Sequence, residues 1–299
     1  MNFRGLVPNA FTMGNLLCGV SGIILAFHEQ LLWSGVLVFA AAFLDFFDGF
    51  TARLLKVQGE LGKQLDSLAD GVTFGVLPAI ILFQLCTISY FEYFTPIMER
   101  PHFWFSFVCL VAALGAIYRL AVFNIDTEQS ENFKGMPTPA SAIFVASLPL
   151  VLELNYNMNF YPGLPATAKA AMMEVQYLDP WDDWLLSLLF SPAFYIVTAL
   201  VLAGLNISRI PLFSLKFKSL RWRDNKVRFR FLIGVALLGL LVYLPYGLIF
   251  MRVTWDVVFP SWVKNIPFLD WAIVPLVILL YLLIAFIHNL LPKRDEIPG

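Results

Sequence analysis

The sequence predicts an all-α, polytopic integral membrane protein, and three observations lead there. Hydrophobic residues make up 59% of the 299 positions, and mean hydropathy is +0.75. Charged residues make up only 14%, against about 25% in an ordinary soluble domain, which leaves too little polar surface to solvate a globule of this size. Apolar runs near the roughly 20 residues needed to cross a bilayer recur along the whole chain. The 29 Phe suit lipid-facing helices and interfacial belts better than a water-facing shell.

Eight runs qualify as spans, at about 10–28, 31–55, 66–88, 103–124, 138–155, 186–206, 231–251 and 269–291. The first follows a single basic residue, Arg4, and ends in His28-Glu29-Gln30 without a small-residue cleavage site; it is expected to be a retained span rather than a signal peptide. Lys and Arg favour cytoplasmic loops. With the N-terminus inside, only Arg100, Lys169, Arg252 and Lys264 fall outside, and the other 16 of the 20 basic residues fall inside. That asymmetry predicts eight spans with both termini cytoplasmic. Residues 156–185, with Pro162, Pro165, Pro180, Trp181 and Trp184, read as an outer loop. The stretch from Lys216 to Arg230 reads as a basic cytoplasmic loop, either a topology anchor or a contact for anionic headgroups. No internal repeat or low-complexity tract stands out.

Cys18, Cys86 and Cys109 all lie in apolar runs without metal-ligand spacing and read as small buried hydrophobes. His28, His102 and His288 stand singly near run ends and read as interfacial residues. The net charge of −1 points to no particular partner, and no nucleic acid is expected among them.

The chemistry concentrates in DFFDGFTARLLKVQGELGKQLDSLAD, residues 45–70. Asp45, Asp48 and Ala52 are three and four residues apart, so they share a helix face. Gly49 and Ala52 are small enough for a bulky group to approach the backbone, and Arg53 is a planar cation suited to phosphate. A polar turn with Gly59 and Gly62 follows, and Asp66 and Asp70 then share a face of the next helix. Two neighbouring helices thus each present a carboxylate pair at one membrane depth. Four carboxylates near hydrocarbon repel one another and are costly. Arg53, Lys56 and Lys63 offset part of that charge, and bound Mg²⁺ or Mn²⁺ would neutralise the rest, since hard cations take oxygen ligands. Two ions about 3.5–4 Å apart can bridge phosphate oxygens, while a carboxylate left partly free can take a proton from a hydroxyl. Any one of these aspartates alone would read as a charge at a span end; the four together do not.

The pattern Asp45-x2-Asp48-Gly49-x2-Ala52-Arg53-x8-Gly62-x3-Asp66-x3-Asp70 resembles, at every fixed position, the signature of the CDP-alcohol phosphotransferase family. The resemblance implies a six-helix membrane core, usually homodimeric, that moves a phosphoalcohol group from a CDP-linked donor to a second alcohol and releases CMP. It implies Asp45, Asp48, Asp66 and Asp70 as metal ligands, with Asp70 also the general base. Gly49, Ala52, Arg53 and Gly62 would line the nucleotide and diphosphate. The expected organisation is a catalytic membrane domain over 1–206, a basic loop over 207–230, and a further transmembrane hairpin over 231–299.

Other segments resemble the bacterial phosphatidylserine synthase branch of that family: residues 6–19, residues 66–79, Arg119-Leu120-Ala121-Val122-Phe123-Asn124, and Phe133-Lys134-Gly135-Met136-Pro137-Thr138-Pro139-Ala140. The implied substrates are CDP-diacylglycerol and L-serine, with the chain in the inner or plasma membrane among its lipids and its site facing the cytoplasm. Arg119 is expected level with the aspartates, where it reads either as a topology anchor or as a holder of the serine carboxylate; Asn124 can bond the amino acid. Val122 stands where many relatives carry Arg or Lys; that contact is either missing here or supplied elsewhere, with Lys134 the candidate. Asn9, Thr12 and Asn15 lie on one face of the first helix and either satisfy helix-end amides or touch cytidine. Two rival readings remain at this point: a sister enzyme taking glycerol 3-phosphate or inositol phosphate, and an ion transporter built on the same carboxylates. Against the transporter, the carboxylates sit in one helical hairpin with no counterpart in the second half.

Overall fold

A computed structural model describes residues 3–57, 59–90, 99, 102–125, 133–155, 180–213, 225–255 and 271–290. These residues are almost entirely helical. Helix α1 is Phe3–Phe27 and α2 is Leu31–Leu55. Helix α3 runs Glu60–Ser89 and contains a π turn at Gly71–Val76. Helix α4 is Phe103–Ile125, and α5 is Thr138–Leu150. Helices α6 and α7 are Pro180–Leu189 and Pro192–Ile207. Helices α8 and α9 are Lys226–Trp255 and Ile273–Leu290. Helices α1 to α4 each contain a stretch long and apolar enough to cross a membrane, and α5, α7 and α9 are shorter apolar helices.

Helix α3 is the axis of the bundle. Its Phe74, Leu77, Ile81, Leu82 and Leu85 are each no more than 1% exposed, because α1, α2, α4, α5 and α7 all pack against it. The outer helices bury one face each. Their outward faces carry Leu17, Ile24, Phe43, Leu54 and Leu114, all more than half exposed. In water so much exposed apolar surface would be a liability; against acyl chains it is satisfied.

Local chemistry sets the ends and approaches of these helices. Lys56 adopts the left-handed conformation (φ 54°) and its N–H caps the carbonyls of Ala52 and Arg53, which stops α2. In the α1–α2 hairpin Ser34 Oγ donates to Gly22 O at 2.9 Å. Helices α4 and α7 meet at Gly115, where a Cβ would lie 2.6 Å from the Ala203 Cα; only glycine lets the two backbones come that close. Gly115→Val is therefore expected to lose about 1–3 kcal/mol of stability. Gly204→Ala, with nothing within 4 Å of its would-be Cβ, should be neutral or slightly stabilising. Thermal unfolding in detergent measures both, and equal effects would refute the close-approach argument.

Two sequence expectations change. The apolar run expected as one span at 186–206 is divided by Phe190-Ser191 into α6 and α7. Pro192 has no N–H to continue the first helix but suits the first turn of the second. The Tyr195 hydroxyl donates to Leu189 O across the break. The outer loop expected over 156–185 gives way to helix from Pro180 onward; its 156–179 part lies outside the described residues. So does 214–224 of the expected basic loop. Ahead of that segment, Pro211–Leu212 pairs antiparallel with Phe133–Lys134, a two-residue ladder too short to leave a signal in the sequence. Gly135, at φ 77°, closes it, and a Cβ there would meet Ser208 O at 2.6 Å.

The last two helices dock on the rest. Tyr281 donates to Phe213 O at 2.8 Å and Asn289 Nδ2 to Pro211 O at 2.7 Å, and α9 packs against α5.

Candidate active site

The site forms where the first half of α1, the end of α2 and the start of α3 meet. Asp45 and Asp48 come from the last turns of α2, Asp66 from the second turn of α3. One carboxylate oxygen from each lies within 4.8 Å of the other two. The α2 cap and the extended Gly59 that precedes α3 reverse the chain in few residues, which brings the two carboxylate faces together. Three acids this close resist assembly unless a cation or firm donors meet them.

Each acid is held differently. Thr12 donates to Asp48 Oδ2 at 2.8 Å, with Pro8 O a further 3.2 Å from its hydroxyl. Asp66 Oδ1 is buried and has no hydrogen-bond partner. Asp70 stands one turn further along α3, outside the group of three, and its Oδ1 accepts from Asn15 Nδ2 at 3.0 Å. Asn15 is itself fixed, because Thr73 Oγ1 donates to its carbonyl at 3.1 Å. Thr73 sits in the π turn, and Gly19 gives it room: a Cβ at that glycine would be 2.3 Å from the Thr73 hydroxyl. Single π turns commonly mark functional positions, and this one follows Asp70 directly.

A cavity of about 430 Å³ opens beside these acids, within the range for small-ligand sites. Asp48 and Asp66 form its acidic wall, Asn9 and Thr12 of α1 face them, and Gly49 and Gly62 leave the floor open. Ala52, Glu60 and Lys63 complete the wall that carries charge or makes room. The donor set fits a hard divalent cation: three carboxylates converge, and one buried oxygen among them is unpaired.

The sequence-derived candidates are placed as follows. Asp45, Asp48 and Asp66 come together, and Gly49, Ala52, Gly62, Asn9 and Thr12 line the cavity beside them. Arg53 is exposed and turns back along α2, with Nε donating to Gly49 O at 2.8 Å; it is not among the residues lining the cavity. Arg119 is buried, its Nε without a partner and its guanidinium carbon 5.8 Å from the Phe123 ring centroid. Asn124 is already engaged: it and Ser67 exchange hydrogen bonds at 2.6 and 2.9 Å, and Lys63 Nζ reaches its carbonyl at 3.2 Å. It thereby ties the end of α4 to α3 next to Asp66. The backbone of Lys134 lies in the two-residue ladder, and its side chain lies outside the described residues. Sequence reasoning missed the parts played by Ser67 and Thr73. Asn15 was visible on the right face of α1, but nothing in the sequence pairs it with Asp70.

Comparison with known proteins points to one family. The family model described as CDP-alcohol phosphatidyltransferase matches residues 5–189. A CDP-diacylglycerol–serine O-phosphatidyltransferase of Bacillus subtilis is 32% identical over 152 residues, covering 50% of this chain and 77% of that protein. The protein of the same name in Helicobacter pylori strain J99 is 36% identical over 154 residues, 51% of this chain and 60% of its own length. An archaetidylserine synthase of Methanothermobacter thermautotrophicus is 31% identical over 163 residues, 54% of this chain and 61% of its own. A Mycobacterium bovis relative bearing the serine O-phosphatidyltransferase name is spanned over 54% of its length.

Proposed function

This chain belongs to the CDP-alcohol phosphatidyltransferase family, and we propose that it moves the phosphatidyl group of CDP-diacylglycerol onto the hydroxyl of L-serine, releasing CMP. The observation that carries the reading is the carboxylate trio, of which Asp48 and Asp66 line a ligand-sized cavity, with Asp70 held one turn away by Asn15. The names of its relatives support serine as acceptor.

Asp45, Asp48 and Asp66 would hold Mg²⁺ or Mn²⁺, as two ions. A divalent cation bound there supplies Lewis-acid polarisation of the diphosphate and neutralises the charge that develops on it. The rest of the work falls to the chain itself. Gly49, Ala52 and Gly62 let the diphosphate lie against backbone, Asn9 and Thr12 face the nucleotide, and Arg53 neutralises phosphate from the rim. Arg119 takes the serine carboxylate. Asp70 removes the proton from the serine hydroxyl. The serine Oγ–P bond forms at the lipid-side phosphorus, the P–O bond to CMP breaks, and CMP leaves with both bonding electrons. The diacylglycerol tails stay in the bilayer throughout. The excess of Lys and Arg on one side supports a site facing the cytoplasm, in an inner or plasma membrane, and the family resemblance supports a homodimer.

One assay tests this reading. Purified protein in mixed micelles with CDP-diacylglycerol and Mn²⁺ or Mg²⁺ is offered a panel of serine, glycerol 3-phosphate, inositol phosphate and water. The expected result is CMP release with serine and phosphatidylserine as the lipid product. Release with a phosphorylated alcohol would move the chain to a sister activity, and no release with any alcohol would leave the carboxylates to ion transport.

A further inference from the structure

Three polar atoms at the aspartate end of the bundle are buried without a partner and belong to none of the contacts described for the cavity: Arg119 Nε on α4, Asn206 Oδ1 on α7 and Thr138 Oγ1 at the start of α5. Arg119 is 8% exposed, Asn206 3% and Thr138 1%. Leaving such atoms unpaired is costly, so three of them on three neighbouring helices need a reason.

Their placement brings them together. Helices α4 and α7 touch through Gly115 and Ala203. Arg119 is four residues beyond Gly115 and Asn206 three beyond Ala203, so each continues the contact face by one turn. Thr138 arrives at the same level, because the Met136 N–H bonds Leu205 O at 3.0 Å. The level is also that of Asp70. Against α3, a Cβ on Gly75 would lie 3.6 Å from the Ala116 Cβ, and Asn124 bonds Ser67. The antiparallel register between those two contacts sets Arg119 beside Gly71 and Val72, next to Asp70.

The three atoms are complementary to one kind of ligand. A guanidinium N–H asks for an anion, an amide oxygen asks for a donor, and a hydroxyl serves either. We infer that Asn206, with Thr138, binds the ammonium group of an amino-acid acceptor whose carboxylate Arg119 holds, leaving the side-chain hydroxyl toward Asp70. The inference rests on the serine reading above and deepens it. Asn206 and the rest of α7 lie beyond residues 5–189, which the family model matches.

The test uses the full chain in mixed micelles with CDP-diacylglycerol, Mn²⁺ and serine. Asn206→Leu should raise the serine KM about 10- to 100-fold, as expected for a site robbed of one buried hydrogen-bonding partner. Its kcat and its KM for CDP-diacylglycerol should stay within about threefold, which also certifies the fold. Asn206→Asp, which keeps the acceptor oxygen, should restore most of the serine affinity. Inhibition by 3-hydroxypropionate, a serine without its ammonium, should be unchanged in Asn206→Leu and weakened in Arg119→Lys. An unmoved serine KM in Asn206→Leu overturns the inference while leaving the serine reading intact, as does an equal loss of affinity for serine and 3-hydroxypropionate. Failure of the wild type to use serine overturns both.

Discussion

Asp66→Asn should lower turnover with saturating CDP-diacylglycerol by about a thousandfold, and it should make the metal-free protein more stable rather than less. The two effects share one cause. Asp66 lies within 4.8 Å of both Asp45 and Asp48, and its Oδ1 is buried without a partner. Two unit charges at that separation repel by roughly 3 kcal/mol at an effective dielectric of about 20. Removing one carboxylate from the three relieves part of that repulsion, so Tm in EDTA should rise. The same substitution removes a hard oxygen ligand, so the stabilisation that Mn²⁺ gives the wild type should shrink or vanish. The turnover loss is of the size seen when one preorganised electrostatic group is taken from a transition state. Thermal unfolding with and without Mn²⁺, run beside the CMP assay, separates these readings. A variant with wild-type activity, or with an undiminished Mn²⁺ shift, would remove Asp66 from the metal site.

Asp70→Asn is expected to lower kcat by about 10²–10⁴, the range for a lost general base, with a much smaller effect on the Mn²⁺ shift than Asp66→Asn. Asp70 lies outside the group of three carboxylates and accepts a hydrogen bond from Asn15. Asparagine is nearly isosteric and can still meet Asn15 after an amide rotation, so the protein should stay folded and bind CDP-diacylglycerol. What it cannot do is accept the serine proton. A kcat within tenfold of wild type would falsify the base assignment. A Mn²⁺ response lost as completely as in Asp66→Asn would instead make Asp70 principally a ligand.

Much of this was legible in one dimension because the relevant spacings are helical. Asp45 with Asp48, and Asp66 with Asp70, are neighbours on their helices whatever the rest of the chain does. The short polar turn between them left no other partner for either face. Among the described residues each long helix overlaps one of the apolar runs, since lipid forces each backbone to satisfy itself within its own segment. Where that logic thins, the reading was less accurate: Pro192 divides a run that hydropathy alone counts as continuous.

What the sequence by itself determined is the class of molecule, the helix faces that carry the acids, and the family signature they spell. Only the tertiary structure decided how the four acids are divided. Three converge and the fourth is set apart, because a π turn, Gly19 and Thr73 place Asn15 against Asp70. It also gave Asn124 to Ser67 rather than to open space. These pairings join residues 55 to 58 positions apart. Their geometry depends on how closely two helices approach and at what rotation, and that is settled by small side chains at the crossing points, which no local periodicity reveals.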